Sequence, residues 1–306
     1  MQKYTSAESA GACIRHACTG DDLAIKNIWK TVFDDSDEDI DLFFKHFSSR
    51  VKTLVADNGS GPVAMGHLVP IGNYLPYGNI SEGTVRVSCA MIYAVATLPE
   101  FRGQGNGASV VRELIDMGHK SGYKALVLCP SEDSLFGFYG KRTKLRDWFY
   151  INEKVHKKPF ASSRINNIHH IEETKYNKLR EKLLSAVPHI EYDTHILSYQ
   201  ILLSSQFGGG LFTVDTPSGP AAAVVERQSN GAVWINELLA PAEYENDVVS
   251  LIADRFPALE YVVRSPALSV IAGSGARRYG MLALADHILP DAVTNGVLPW
   301  YGLAFF

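Results

Sequence analysis

Between Arg102 and Gly107 the chain reads Arg-Gly-Gln-Gly-Asn-Gly, with glycine at every second position from 103 onward. Glycine enters the left-handed backbone conformations that a tight turn needs, and a turn opening a helix leaves several N–H groups without intrahelical acceptors. Those amides and the positive end of the helix dipole make an anion site that needs no lysine. The chemistry open to such a turn is the holding of a phosphate or pyrophosphate. The bland alternative is that three glycines only turn a strand into a helix. Two familiar phosphate loops fit badly. No Gly-Lys-Ser/Thr follows, and Gly107 falls one residue too early for Gly-x-Gly-x-x-Gly.

A turn of this kind needs a strand before it and a helix after it. The β-rich stretch 85–97 leads in, and Val110, Val111, Leu114 and Ile115 recur afterwards at helical spacing. Gly122 closes that helix and 124–129 reads as the next strand, which completes a βαβ unit. Upstream, Asp21 and Asp22 give a negative first turn to a helix carrying Leu23, Ile25, Ile28, Trp29, Val32 and Phe33. A second short helix carries Ile40, Phe43, Phe44 and Phe47. Strands at 53–56 and 63–69 then flank Asp57-Asn58-Gly59-Ser60-Gly61, a hairpin signal.

In this setting the run Val95-Ala96-Thr97-Leu98-Pro99-Glu100-Phe101-Arg102-Gly103-Gln104-Gly105-Asn106-Gly107 resembles motif A of the GNAT N-acetyltransferases, Arg/Gln-x-x-Gly-x-Gly/Ala after a strand. Arg102, Gly105 and Gly107 fill its defining positions, and the likeness in order of elements extends from about Ile14 to Phe149. It implies acetyl-CoA as co-substrate. By position, Val95, Ala96 and Thr97 would lie at the splayed end of the fourth strand, pairing main chain with the pantetheine arm. Arg102, Gly103, Gln104, Gly105, Asn106, Gly107 and Ala108 would wrap the pyrophosphate with backbone amides.

Leu128-Cys129-Pro130-Ser131-Glu132, followed by Leu135-Phe136-Gly137-Phe138-Tyr139-Gly140-Lys141, resembles motif B of the same family. Tyr139 falls on the tyrosine that in many members protonates the departing coenzyme A thiolate. A phenol of ordinary pKa near 10 stays protonated at neutral pH and can donate. Two other readings stand beside this one. Leu135, Phe138 and Tyr139 at helical spacing suit a buried helix face, and a register on Phe136 would leave no tyrosine at the acid position. The pattern also departs after Lys141, where Thr143 and Lys144 stand near the usual Gly-Phe.

The second half echoes the first. Residues 234–241, a helix over 244–256 and a strand over 261–266 repeat the order strand, Pro, helix, strand, Pro, after a basic, weakly periodic linker around 157–164 and a helix at 174–184. Where the glycine turn should be stands Pro241-Ala242-Glu243-Tyr244-Glu245-Asn246-Asp247, whose acids would repel a pyrophosphate. An active unit followed by a degenerate one is similar to the first two domains of the Eis-like acetyltransferases. The expected fold is therefore α/β (α+β): two tandem GNAT-like domains, each a mixed, mainly antiparallel sheet flanked by helices. Residues 1–155 would carry the acetyl-CoA site and 156–306 would be the copy without one. In some relatives the terminal carboxylate is thought to act as general base, and this sequence ends at Phe306 without their third, sterol-carrier-like domain. Gly208-Gly209-Gly210 and Gly273-Ser274-Gly275 read as turns.

A net charge of −4 and a pI near 6.2 give no broad attraction for nucleic acid or an anionic membrane, so neither is expected as a partner. No stretch approaches the roughly 18 to 20 apolar residues of a membrane span, and 1–11 has no apolar signal core, which points to the cytoplasm. Cys13, Cys18, Cys89 and Cys129 read as reduced thiols, and no metal is expected. The acidic run Asp34, Asp35, Asp37, Glu38, Asp39 and Asp41 is either a helix-starting loop or an attraction for a cationic acceptor. The expected activity is direct acetyl transfer from acetyl-CoA to a primary amine of a small molecule or peptide. A non-catalytic acyl-CoA sensor, or transfer of a longer acyl group, are the alternatives.

Overall fold

The computed structural model describes residues 12–79, 83–157, 163–206, 208–267, 276–285 and 297–305. Among them are thirteen β-strands, all in one sheet, and seven α-helices. The first half runs β1 (Cys13–His16), α1 (Asp22–Phe33), α2 (Asp37–Phe47), β2 (Lys52–Asp57), β3 (Pro62–Leu75), β4 (Val87–Thr97), α3 (Asn106–Lys120), β5 (Ala125–Leu128), α4 (Asp133–Arg142) and β6 (Arg146–Lys157). The second runs β7 (Ile168–His170), α5 (Glu173–Leu183), β8 (His189–Tyr192), α6 (Thr194–Ser205), β9 (Gly210–Val214), β10 (Ala221–Arg227), β11 (Val233–Leu239), α7 (Glu245–Arg255), β12 (Glu260–Pro266) and β13 (Ala276–Leu284).

Alternation along the strands sorts the core into layers. On β2, Val55 faces one side with Ile28, Phe43 and Phe47 of α1 and α2, whereas Leu54 and Ala56 face the other with Val110, Leu114 and Ile115 of α3. A third cluster packs α7, through Val248, Val249 and Ile252, on Val225, Val233 and Val263. The hairpin forms as its turn residues require, with Val55 opposite Met65. Not every residue of the apolar pattern is buried: Leu23 is 83% exposed at the outer side of α1.

The strand order is β1-β2-β3-β4-β5-β13-β6-β12-β11-β10-β9-β7, with β8 added along the far end of β3. Neighbours are antiparallel except β4 with β5 and β11 with β12, the two pairs linked by α3 and α7. The echo between the halves is thus a repeated parallel unit. The two repeats are not cut apart at the linker, however. β13, from the end of the chain, sits between β5 and β6, pairing Met281 with Leu128 and Arg277 with Ile151. β6 in turn pairs with β12 on its other edge, Arg264 opposite Glu153. By sheet membership, each half closes on a strand from the other.

Residues 297–305 run through the interior, with Trp300, Tyr301, Leu303 and Ala304 all buried. The Trp300 indole N–H donates to Glu237 at 2.7 Å, and Tyr192 donates to the carbonyl of Leu303 at 3.0 Å. Phe306 and 273–275 lie outside the described residues.

Candidate active site

The strand that leads into the glycine turn is bent by its own backbone. Ala94 has φ +47, a conformation that costs a non-glycine residue roughly 1 to 2 kcal/mol. The pairing of β3 with β4 slips there, from His67 opposite Tyr93 to Met65 opposite Ala96. This bulge turns the end of β4. The parallel pairing of β4 with β5 stops just before it, at Ile92 opposite Leu128. The two strands therefore part, and a narrow cleft with a volume of about 70 Å³ opens between Ala94 and Val95 on one side and Leu128, Cys129 and Pro130 on the other.

Tyr139 lines that same cleft. Its side chain is 6% exposed, and its hydroxyl has no hydrogen-bond partner among the described residues. Burial pushes the phenol up to about 12, so the proton is held throughout the physiological range. Phe136 is buried beneath the Arg278 guanidinium, 4.7 Å from its ring, and is not among the residues lining the cleft. Arg278 also donates to Asp133 at 2.7 Å and to Asp147 at 3.2 Å. β13 thereby holds the first turn of α4, the helix that carries Tyr139.

The glycine turn begins where β4 ends. Arg102 donates from Nε to the Thr97 carbonyl at 3.2 Å, and Asn106 donates to the Phe101 carbonyl at 3.2 Å. Gly103 and Gly105 adopt φ +78 and +84, with open space where a Cβ would stand. At Gly107 a Cβ would come within 3.2 Å of Thr97 Oγ1, so the helix passes close to the strand end. No side chain caps this end of α3 and its first turn holds no acid. The first amides of α3 therefore have no side-chain acceptor. Val95, Ala96 and Thr97 thus lie on the bent strand end and Arg102 to Ala108 on the turn, contiguous along one edge of the fold.

The matching helix of the second half carries acids where α3 has none. Asp247, in the first turn of α7, accepts from Arg164 Nη2 at 2.5 Å and from the Arg164 backbone N–H at 2.8 Å. Glu243 accepts from Ser218 at 2.6 Å, and Glu245 from Lys154 at 2.8 Å. All three acids are taken up locally.

The acidic run at 34–41 is spent largely in the same manner. Asp37 pairs with Lys30 at 2.8 Å, Asp41 with Lys26, and Asp39 accepts from the capping Ser36 at 2.7 Å. Asp34 has φ +60 at the end of α1. Asp35 differs: it accepts from the Trp29 indole at 2.7 Å, and burial raises its carboxyl above the ordinary range.

Part of the cleft wall comes from residues outside both motifs. Phe33, Tyr93 and Ala304 also line it, and the Tyr93 hydroxyl donates to the Phe305 carbonyl. No local signal marks them, since they meet only through the fold. Cys129, in the wall, donates to the Tyr279 carbonyl at 2.7 Å, and burial pushes its thiol far up, which argues against a nucleophile. All four cysteines are free. Among the described residues no group of three His, Cys, Asp or Glu side chains is placed to hold a metal, and no helix is long and apolar enough to cross a membrane.

No curated protein matches the chain by sequence. Among solved structures it is similar to a GCN5-related N-acetyltransferase from Anabaena variabilis (TM-score 0.62, 15% identity, 88% of this chain and 72% of that one). It is also similar to Eis1 from Mycobacterium abscessus (TM-score 0.58, 12% identity, 90% and 74%). A candidate acetyltransferase from Pyrococcus horikoshii matches over nearly the whole of both chains (TM-score 0.58, 15% identity, 97% and 98%). These identities speak to the fold. The family model described as an acetyltransferase (GNAT) domain matches residues 14–142, which hold the bulge, the glycine turn and Tyr139. Residues 14–142 therefore match a GNAT acetyltransferase domain, which supports an acyltransferase.

Proposed function

We propose that the protein transfers the acetyl group of acetyl-CoA directly to a primary amine of a small molecule or peptide, with residues 1–155 as the transferring unit and 156–306 as a copy without a coenzyme site. The observation that carries this reading is that Tyr139 and the bent end of β4 line one cleft, with the glycine turn continuing from that strand. The thioester supplies an activated carbonyl whose leaving group departs as a thiolate. In the transfer the neutral amine nitrogen bonds to the acetyl carbon, the carbon–sulfur bond breaks, and the nitrogen gives up one proton to solvent while the leaving thiolate takes one up.

The chain's own contribution is to bind, orient and donate. Amides of Gly103 to Ala108 hold the pyrophosphate, and the open edge of β4 beyond Ala94 pairs with the pantetheine amides. Tyr139 donates to the sulfur. A phenol near 12 lies above a thiol's usual range near 8.5 by about three units, so Tyr139 acts first as a hydrogen-bond donor that stabilises the thiolate. Coenzyme A release with an amine panel tests the proposal, and acetyl-CoA binding without release for any amine would point to the sensor reading instead.

A further inference from the structure

Beside the cleft lies a wider pocket of about 330 Å³ that the glycine turn and Tyr139 do not line. Pro130 and Ser131, at the end of β5, belong to the walls of both, so the two spaces adjoin there. The far wall is the seam where the exchanged strands pair. Arg277 and Tyr279 come from β13, Glu153 from β6, Arg264 from β12 and Trp234 from β11. The register puts Arg264 opposite Glu153 and Val262 opposite Val155, so these side chains emerge together on one face.

Among the described residues, the charged side chains that line this pocket are two arginines and one glutamate. Glu153 accepts from Arg264 Nε at 2.8 Å and from Arg277 Nε at 2.9 Å and Nη2 at 2.7 Å. Two guanidinium groups share one carboxylate, which leaves a positive surplus among the described lining residues. Arg264 is 6% exposed and held through Nε, Nη1 and the face of its guanidinium. Its guanidinium lies 4.5 Å from the Trp234 ring, and Nη1 donates to Asn236 Oδ1 at 3.2 Å. Asn236 is oriented by donating to Glu226 at 2.6 Å, and Glu226, buried behind it, also accepts from Gln200 and from Ser204. Among the described residues Glu226 has no hydrogen bond to either arginine, because Asn236 stands between it and Arg264.

A pair of planar guanidinium groups with surplus charge suits a carboxylate, which takes two parallel N–H bonds. The remaining wall is apolar: Val155 is 59% exposed beside Val262 and the Trp234 ring. We propose that this pocket holds the acceptor by a carboxylate, so that the substrate is an amino carboxylate with an apolar body. That body rests on Val155 and Trp234 while the amine reaches the cleft past Pro130 and Ser131. The inference rests on the acetyl-transfer reading given above.

Acceptors compared in pairs test it: phenylalanine and leucine against their carboxamides, at saturating acetyl-CoA. We expect kcat/KM at least tenfold higher for the acids. Arg277→Gln should raise the KM of the acids at least tenfold and that of the amides less than twofold, with thermal melting confirming the fold. Equal rates for acid and amide, or an equal loss for both in the variant, would overturn the proposal. Titration calorimetry with N-acetyl-phenylalanine reads the pocket without turnover. Binding weakened at least tenfold by Arg277→Gln supports the proposal, and no binding to the unaltered protein overturns it. If no amine is acetylated while N-acetyl-phenylalanine still binds through Arg277, the transfer reading fails and the pocket stands.

Discussion

The Tyr93 hydroxyl donates to the Phe305 carbonyl at 3.0 Å, tying a wall of the cleft to a residue 212 positions later in the chain. The segment that carries Phe305 is anchored by a buried ion pair. Arg180 and Glu237 are both fully buried, 2.9 Å apart, and Glu237 also accepts from Tyr176 and Trp300. Removing one charge from such a pair leaves the other unpaired in the interior. Glu237→Gln should therefore cost about 3 to 5 kcal/mol in urea unfolding and lower activity, because Ala304 loses its anchor. A cost under about 1 kcal/mol would show that the tail is held by packing alone.

Tyr139→Phe should lower kcat by roughly 10²-fold and leave acetyl-CoA affinity nearly unchanged. A large loss of affinity would assign Tyr139 to packing. The raised pKa adds a second readout, because the folded protein holds this proton up to about 12 whereas an unfolded tyrosine releases it near 10. The stability that Tyr139 contributes is whole below pH 10 and declines as pH rises through that window. The phenylalanine variant should lose less stability there, and an alkaline limb of kcat near pH 10 that vanished in the variant would contradict the placement.

Gln104 is exposed in the glycine turn, where the proposed function seats the pyrophosphate. Gln104→Glu puts a negative charge there without disturbing the core. The dissociation constant for acetyl-CoA should rise about tenfold at low salt, with stability changed by less than about 0.5 kcal/mol. Added salt should narrow the difference, and unchanged affinity would place the pyrophosphate elsewhere.

His67 is fully buried among the rings of Trp29, Phe43 and Phe44, hydrogen-bonded to Thr53 at 2.8 Å and with Nε2 unpartnered. Burial lowers it from about 6.5 to about 3. The unfolded chain then binds a proton that the folded one refuses, so stability falls as pH drops from 6.5 toward 3, by up to about 1.4 kcal/mol per unit. Urea midpoints across that range should flatten in His67→Gln relative to the unaltered protein. Parallel curves would mean that the site admits the charge.

What could be read from the residues followed locality. The first helices, the hairpin and the strand–turn–helix of α3 declare themselves because period and turn chemistry lie within a dozen residues. α6 gave no such signal: Ile196, Leu197, Tyr199, Ile201 and Leu203 surround it with apolar side chains, so it has no single apolar face. β13 was equally silent, since nothing in 276–284 names partners more than a hundred residues earlier. The same limit separated the glycine turn, legible from its glycines, from the wall formed by Phe33, Tyr93 and Ala304. The arginine pocket was beyond reach because its five charged and aromatic residues come from four strands of both halves.

The exchange of β6 and β13 also sets a clock on synthesis. After β5 leaves the ribosome, about 150 more residues must follow before β13 can settle against it, roughly 8 to 30 s at 5 to 20 residues per second. Until then the edge of β5 is bare and the helix bearing Tyr139 lacks the Arg278 that holds it. A nascent or prematurely ended chain would thus have the glycine turn without a finished cleft, and acyl transfer would begin only once the last strand is in place.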